Sequence, residues 1–321
     1  MSFPLFNRPG TIVFLDDDPD YLEMLALMLP RKWRARLFVQ PRECIRQLQQ
    51  ELPFWEADTW SQQQLVDQWR AGRPLVPQIL EYWARQTERF SLTRVFVVEY
   101  SMPEMDGLQA LDALADWPGA RVLLTGQADD QVAIDAFNAG LIQQFIPKQT
   151  ADIEARLVDV LERLQGTPHP SHAQTWRATL RPEQATLLRD PAVAGRLGAL
   201  AARHWVEHVV IGDPFGVIGL DADGAASWMQ LETGIGLPAL AELAQLEGLG
   251  ADVVADVRAG RKLVDLEVSQ SLRRPPQVAD ALPLDEAGSA FAAWFPLDVQ
   301  GLGDAGYSRW LARQPQRRID S

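Results

Sequence analysis

The sequence is poor in three things that would narrow its function at once: cysteine, positive charge and long apolar runs. A single cysteine, Cys44, excludes an internal disulfide framework and suits a reducing compartment. It lies in a helical pattern, where a small buried hydrophobe is expected. Lys and Arg number 30 against 43 Asp and Glu, a net charge of −13. Residues 166–321 carry 14 basic and 19 acidic side chains, so the second half is acidic too. Clustered cations that displace counterions from nucleic acid are missing, and no nucleic-acid partner is expected. No apolar run approaches the ~18 residues that would cross a bilayer, so no membrane partner is expected either. The opening MSFPLFNRPG lacks the basic start and apolar stretch of a signal peptide, and the expected location is the cytoplasm. Internal repeats, low-complexity tracts and a helix-turn-helix with a basic recognition helix are absent as well.

What is present is an ordinary globular composition, 47% hydrophobic and 23% charged over 321 residues, enough for about two domains. The first half alternates. TIVFLDD (11–17) reads as a strand, 19–32 as a helix with Leu22, Leu25 and Leu29 in register, RARLFVQ as a strand, and PRECIRQLQQ as a helix opening on proline. The rhythm breaks at 52–92, where two further helical segments stand, and resumes with strands at 94–100, 121–126 and 143–148. Helices at 107–116, 129–139 and 151–165 follow these strands. Strands alternating with helices predict an α/β fold, a doubly wound five-stranded parallel sheet covered on both faces. GTPHPSHAQT (166–175) marks a linker, so the expected domains are 1–165 and 176–321. The second is read as α+β: a helical stretch over 181–208, a hairpin at 215–232 turning on Asp-Ala-Asp-Gly, helices at 237–248 and 250–271, a second hairpin at 276–298 and a short last helix.

In an open parallel sheet, ligands bind at the carboxyl ends of the strands, near the point where strand order reverses. The first strand delivers Asp16 and Asp17, with Asp18 just beyond. The third delivers Glu99, the fourth Thr125 and the fifth Lys148. Acids gathered this way repel one another, and Asp16, Asp17 and Glu99 together ask for a hard cation such as Mg²⁺. A hydroxyl and an ammonium at the neighbouring ends suit the oxygens of a phosphoryl group.

The motifs FLDDDP, MPEMDG, LLTG and FIPK resemble those of a response-regulator receiver domain, the signal-accepting module of two-component systems. The resemblance covers residues 11–165. It implies Mg²⁺-dependent transfer of phosphate from a sensor histidine kinase or phosphotransfer protein onto an aspartate. It also implies Thr125 as switch hydroxyl, Lys148 as phosphate ligand, Phe145 as switch aromatic, a homodimer and a downstream protein target. Glu99 departs from the pattern, because it stands where the family keeps the phosphoacceptor aspartate. One methylene longer, its carboxylate extends about 1.3–1.5 Å into phosphoryl space, and misplacement of a reacting group by about 1 Å costs on the order of 100-fold in rate. It also carries one charge against nearly two for a phosphate. The expectation is a receiver that works without phosphorylation or imitates it in part.

The insertion at 52–92 holds Trp55, Trp60, Trp69 and Trp83, either as an elaboration packed on the domain or as a partner surface. A receiver with added helices before the acceptor strand is similar to regulators of α-hydroxyketone quorum-sensing circuits. In the second half, the order of hairpin, helices and hairpin is similar to a PAS-like fold, and the cyclase and phosphodiesterase signatures of response-regulator outputs are missing. An output acting through protein contacts is therefore expected. The alternative is an enzyme with a metal-dependent output, its one candidate being His204-x-x-Glu207-His208, which matches an inverted zinc-peptidase pattern if both histidines share a helix face.

Overall fold

The structure, a computed structural model, describes residues 2–126, 130–299, 301–315, 317 and 319–320; the side chains of Thr125, Asp130 and Asp320 stand outside that description. The chain opens with β1 (Phe6–Asn7), β2 (Thr11–Leu15), α1 (Pro19–Met28), β3 (Arg34–Phe38) and α2 (Pro41–Gln50). Two helices, α3 (Leu52–Arg70) and α4 (Leu75–Arg85), precede β4 (Thr93–Glu99). The alternation is completed by α5 (Gly107–Asp112), β5 (Ala120–Thr125), α6 (Asp130–Asn138), β6 (Gln144–Pro147) and α7 (Ile153–Gln165). Beyond it come α8 (Pro170–Arg177), α9 (Pro182–Leu187) and α10 (Pro191–His204), then β7 (Glu207–Gly212), β8 (Phe215–Leu220) and β9 (Ala226–Thr233). The last stretch holds α11 (Leu237–Leu246), α12 (Ala251–Arg258), β10 (Lys262–Val264), α13 (Leu266–Ser271) and β11 (Val278–Asp280). It closes with β12 (Leu282–Pro283), β13 (Ala290–Leu297), α14 (Tyr307–Ala312) and β14 (Ile319–Asp320).

Two compact units result. One comprises residues 8–60, 88–169 and 310–321; the other comprises 1–7, 61–87 and 170–309. The chain therefore passes between them more than once, where the sequence suggested a single boundary at 166–175.

The first unit carries a parallel sheet in the order β14-β3-β2-β4-β5-β6. The five expected strands run β3-β2-β4-β5-β6, and the short β14 extends the edge beside β3. Every residue of β2 and β4 is buried, as continuous apolar runs require when helices cover both faces. On one face Leu22, Leu25, Leu157 and Leu161 pack against Phe14 and Val97; on the other Cys44, Leu48, Leu111 and Leu114 pack against Leu15 and Phe96. Cys44 is a buried core residue, as its pattern suggested.

The second unit is built on an antiparallel sheet, β1-β7-β8-β9-β13-β12, with a small β10-β11 pair beside it. The hairpin turning on Asp221–Gly224 is there as β8–β9, with Gly224 at φ +90°, a conformation that favours glycine. Other expectations are corrected. Residues 61–87 of the insertion belong to this unit, and Leu65, Val66, Ile79 and Trp83 share its core with Trp176 and Trp228. Most of the supposed linker is helical, since α8 begins at Pro170 and runs past it to Arg177, with His172, Thr175 and the adjoining Trp176 buried. The helix expected over 250–271 stops where Gly260 takes φ +67°, and Lys262–Val264 pairs with β11 instead. The second hairpin is accordingly only β12–β13. Finally, the helix carrying His204 ends there, with Trp205 extended as its cap, and β7 begins at Glu207. The run EHVVIG is claimed by the sheet, so His204 and His208 share no helix face. His204 packs on Trp294, and His208 Nε2 lies 3.1 Å from the Pro4 carbonyl.

Candidate functional site

Strand order reverses around β2, which lies between β3 and β4, and the crevice at their carboxyl ends is the expected ligand position. Asp16 directly follows β2, Glu99 ends β4, and Lys148 directly follows β6. Asp16 and Glu99 are buried, 3% and 5% exposed. Lys148 Nζ stands 2.6 Å from Asp16 Oδ2 and 2.6 Å from Glu99 Oε2. The remaining oxygens are engaged as well: the Asp18 N–H donates to Asp16 Oδ1 at 3.0 Å, and the Ser101 N–H to Glu99 Oε1 at 3.1 Å. One ammonium thus ties together two buried carboxylates from strands that are neighbours in the sheet.

Local sequence explains this arrangement. The three consecutive aspartates divide the work: Asp16 turns inward, Asp17 is exposed, and Asp18 caps α1 by accepting from the N–H groups of Asp20 and Tyr21. Pro19 stands in the first turn, where its missing N–H costs nothing. After Glu99 the loop is pinned by a capping box of Asp106 and Gln109. At Gly107 a Cβ would stand 2.4 Å from the Glu99 carbonyl oxygen, so only glycine lets the loop close there.

The electrostatics follow from burial. Burial pushes Asp16 above the usual carboxylate range against the bonds from Lys148, and the Glu99 charge pushes the same way. Burial pulls Lys148 down, but the two carboxylates outweigh it and hold the ammonium above its ordinary value. The Tyr21 ring, which sequence reasoning passed over, lies 4.1 Å from Lys148 Nζ, within cation–π range. Burial pushes its hydroxyl to about 12. Its position one turn into the helix capped by Asp18 is the signal that could have found it.

Thr125 is the last residue of β5, paired in register with Pro147; its side chain lies outside the described residues. Phe145 is half-buried on β6 and lines a shallow pocket with Ile134 and Phe137 of α6. For Mg²⁺ the fit is poor in this arrangement. Three of the four oxygens of Asp16 and Glu99 already accept protein hydrogen bonds, Glu99 Oε2 is held only by the Lys148 ion pair, and among the described residues no three His, Cys, Asp or Glu side chains are gathered to hold a metal. A cation would have to compete with Lys148.

No protein-family model matches the chain, and no curated protein does. The Legionella pneumophila response regulator LqsR is similar along nearly the whole of both chains, 24% identical, covering 98% of this chain and 98% of that one at a TM-score of 0.74. The chain has the fold of a response regulator. Smaller likenesses include a CheY-like receiver domain protein from Methanospirillum hungatei (16% identity, 49% of this chain and 94% of that one, TM-score 0.31). Another is the chemotaxis protein CheY4 of Vibrio cholerae (12% identity, 49% and 98%, TM-score 0.33). Within the response-regulator fold, Glu99 and Lys148 stand at the ends of the third and fifth strands of the five-stranded sheet. No helix among the described residues is long and apolar enough to cross a membrane.

Proposed function

We propose that this chain is a two-component response regulator whose receiver works with a fixed charge at the acceptor position. The observation that carries the reading is Lys148 Nζ at 2.6 Å from both Glu99 and Asp16. The longer acidic side chain reaches the lysine, so the ammonium that would hold phosphoryl oxygens is already neutralised. In-line attack on a phosphodonor needs a carboxylate oxygen free and aligned, and a displacement of about 1 Å costs on the order of 100-fold in rate. The receiver is therefore insensitive to phosphodonors and biased toward its signalling state. The bias is partial, because one charge replaces nearly two and a two-state element moves only by the differential free energy supplied.

A sensor histidine kinase or phosphotransfer protein is the upstream partner, engaged by docking, and the working form is a homodimer in the cytoplasm. The acidic second unit acts on a downstream protein through contacts, without DNA binding; the net charge of −13 supports this. Beryllofluoride with Mg²⁺, a phosphoryl analogue, tests the reading by ¹⁹F NMR. The wild type should give no protein-bound resonance, and Glu99→Asp should give one. A bound resonance in the wild type that disappears in Glu99→Ala would overturn it.

A further inference from the structure

The second unit contains a cleft of about 460 Å³ that belongs to none of the receiver chemistry. Its apolar walls come from Leu240, Val264 and Leu266, and Ile235 and Leu243 stand exposed at the lip. That volume lies in the range of small-molecule sites, which combine apolar walls with a few convergent polar groups. Four carboxylates line it, Glu183, Asp213, Glu232 and Glu267, against one cation among the described lining residues, Arg181. Neither Asp213 nor Glu267 makes an ion pair among the described residues.

A second observation is independent of the acids. Gln230 lines the same cleft from β9, is only 9% exposed, and its side-chain amide takes no hydrogen bond from or to the described residues. Its amide atoms are not among the buried unpartnered ones, so they are open to the cleft and free to meet a ligand there. Gln184, equally buried beside it, is by contrast fully used: it donates to the Gly212 carbonyl at 2.8 Å and accepts from the Arg181 N–H at 2.8 Å. Burial pushes Glu232 up despite the N–H bond from Thr233. The apolar wall, with Asp213 and Glu232, pushes Glu267 up although that side chain is exposed.

From the cleft, its excess of carboxylates and the unpartnered Gln230, we propose that the second unit binds a small amphipathic cation, an ammonium group joined to an apolar body. The ammonium lies among Glu232, Glu267 and Asp213, the Gln230 amide bonds its polar end, and the body covers Leu240 and Leu266. Anions of the same shape are rejected by the same three charges.

The test uses the full chain and n-hexylammonium, with hexanoate and hexanol as matched probes, followed by calorimetry and the Gln230 side-chain amide in NMR. Saturable hexylammonium binding is expected, at least about tenfold tighter than hexanoate, which corresponds to about 1.4 kcal/mol. Glu267→Gln, at an exposed position that leaves the fold intact, should weaken it severalfold. Gln230→Leu should weaken binding severalfold, because it removes the amide that bonds the ligand's polar end. Hexanoate binding as tightly as hexylammonium, no saturable binding of either, or a Gln230→Leu variant with unchanged affinity would each overturn the proposal.

Discussion

Replacing Lys148 by methionine keeps the apolar stem and removes the ammonium. Asp16 and Glu99, with side chains 4% and 6% exposed, are then left facing each other without their cation. Removing one partner of a buried ion pair typically costs about 3–5 kcal/mol. Lys148 is itself 19% exposed and admits some water, so the expected loss is at the low end, about 3 kcal/mol. The pH dependence separates this cause from lost packing. Asp16 already sits above the usual carboxylate range and rises further without the lysine. A folded-state acid with a raised pKa binds more protons than the unfolded chain, so its contribution grows as pH falls toward the unfolded value of about 4 and is lost as pH rises. The gap between wild type and Lys148→Met should therefore narrow from pH 7 to pH 5. Mg²⁺ at about 10 mM should narrow it too, since the vacated carboxylate oxygens suit a hard cation. Urea unfolding followed by tryptophan fluorescence reads all of this. A gap below about 1 kcal/mol at pH 7, or one that widens on acidification, would mean that Lys148 does not compensate the two buried carboxylates.

Three further outcomes are expected. Asp58→Ala should destabilise the parallel-sheet unit by about 3–5 kcal/mol in urea, because it strips the carboxylate from buried Arg8 and leaves fully buried Arg94, already pulled down to about 10 by burial and Arg8, beside it. His208 is held by burial at about 4, so the second unit should keep its stability above about pH 6.5 and lose on the order of 3 kcal/mol as pH falls to about 4. In Tm measured against pH, His208→Gln should flatten that slope. The proposed homodimer should appear in light scattering at tens of micromolar, and a purely monomeric solution would remove it.

The parallel sheet was legible, and with it the placing of Asp16, Glu99 and Lys148 at strand ends, because each is a local signal; Asp17, read into the same set, is exposed instead. An apolar run buried on both faces reads as TIVFL or RVFVV, and the acids and the lysine follow their strands directly. The Glu99–Lys148 pair was legible from side-chain length alone. The parts that were not legible depend on distant partners. Residues 61–87 interrupt the receiver pattern, and nothing near them says that Leu65 and Trp83 enter the core around Trp228. Phe6–Asn7 and Ile319–Asp320 are too short to read as strands, yet each pairs with a strand far away in sequence, β7 and β3. His204 and His208 have helical spacing, and only the claim of the sheet on Glu207 separates them. Gln230 looked like any polar residue in a strand; its lack of a partner exists only in the fold.

In the proposed function Glu99 closes the receiver site to phosphoryl transfer while the rest of the reaction centre stays in place. Intact mass after incubation with acetyl phosphate and Mg²⁺ tests it most directly, with wild type and Glu99→Asp treated side by side. The wild type should gain no phosphate and Glu99→Asp should gain one, abolished when Lys148→Met is added. Abundant labelling of the wild type at Glu99, or a folded Glu99→Asp variant that stays unlabelled, would contradict it.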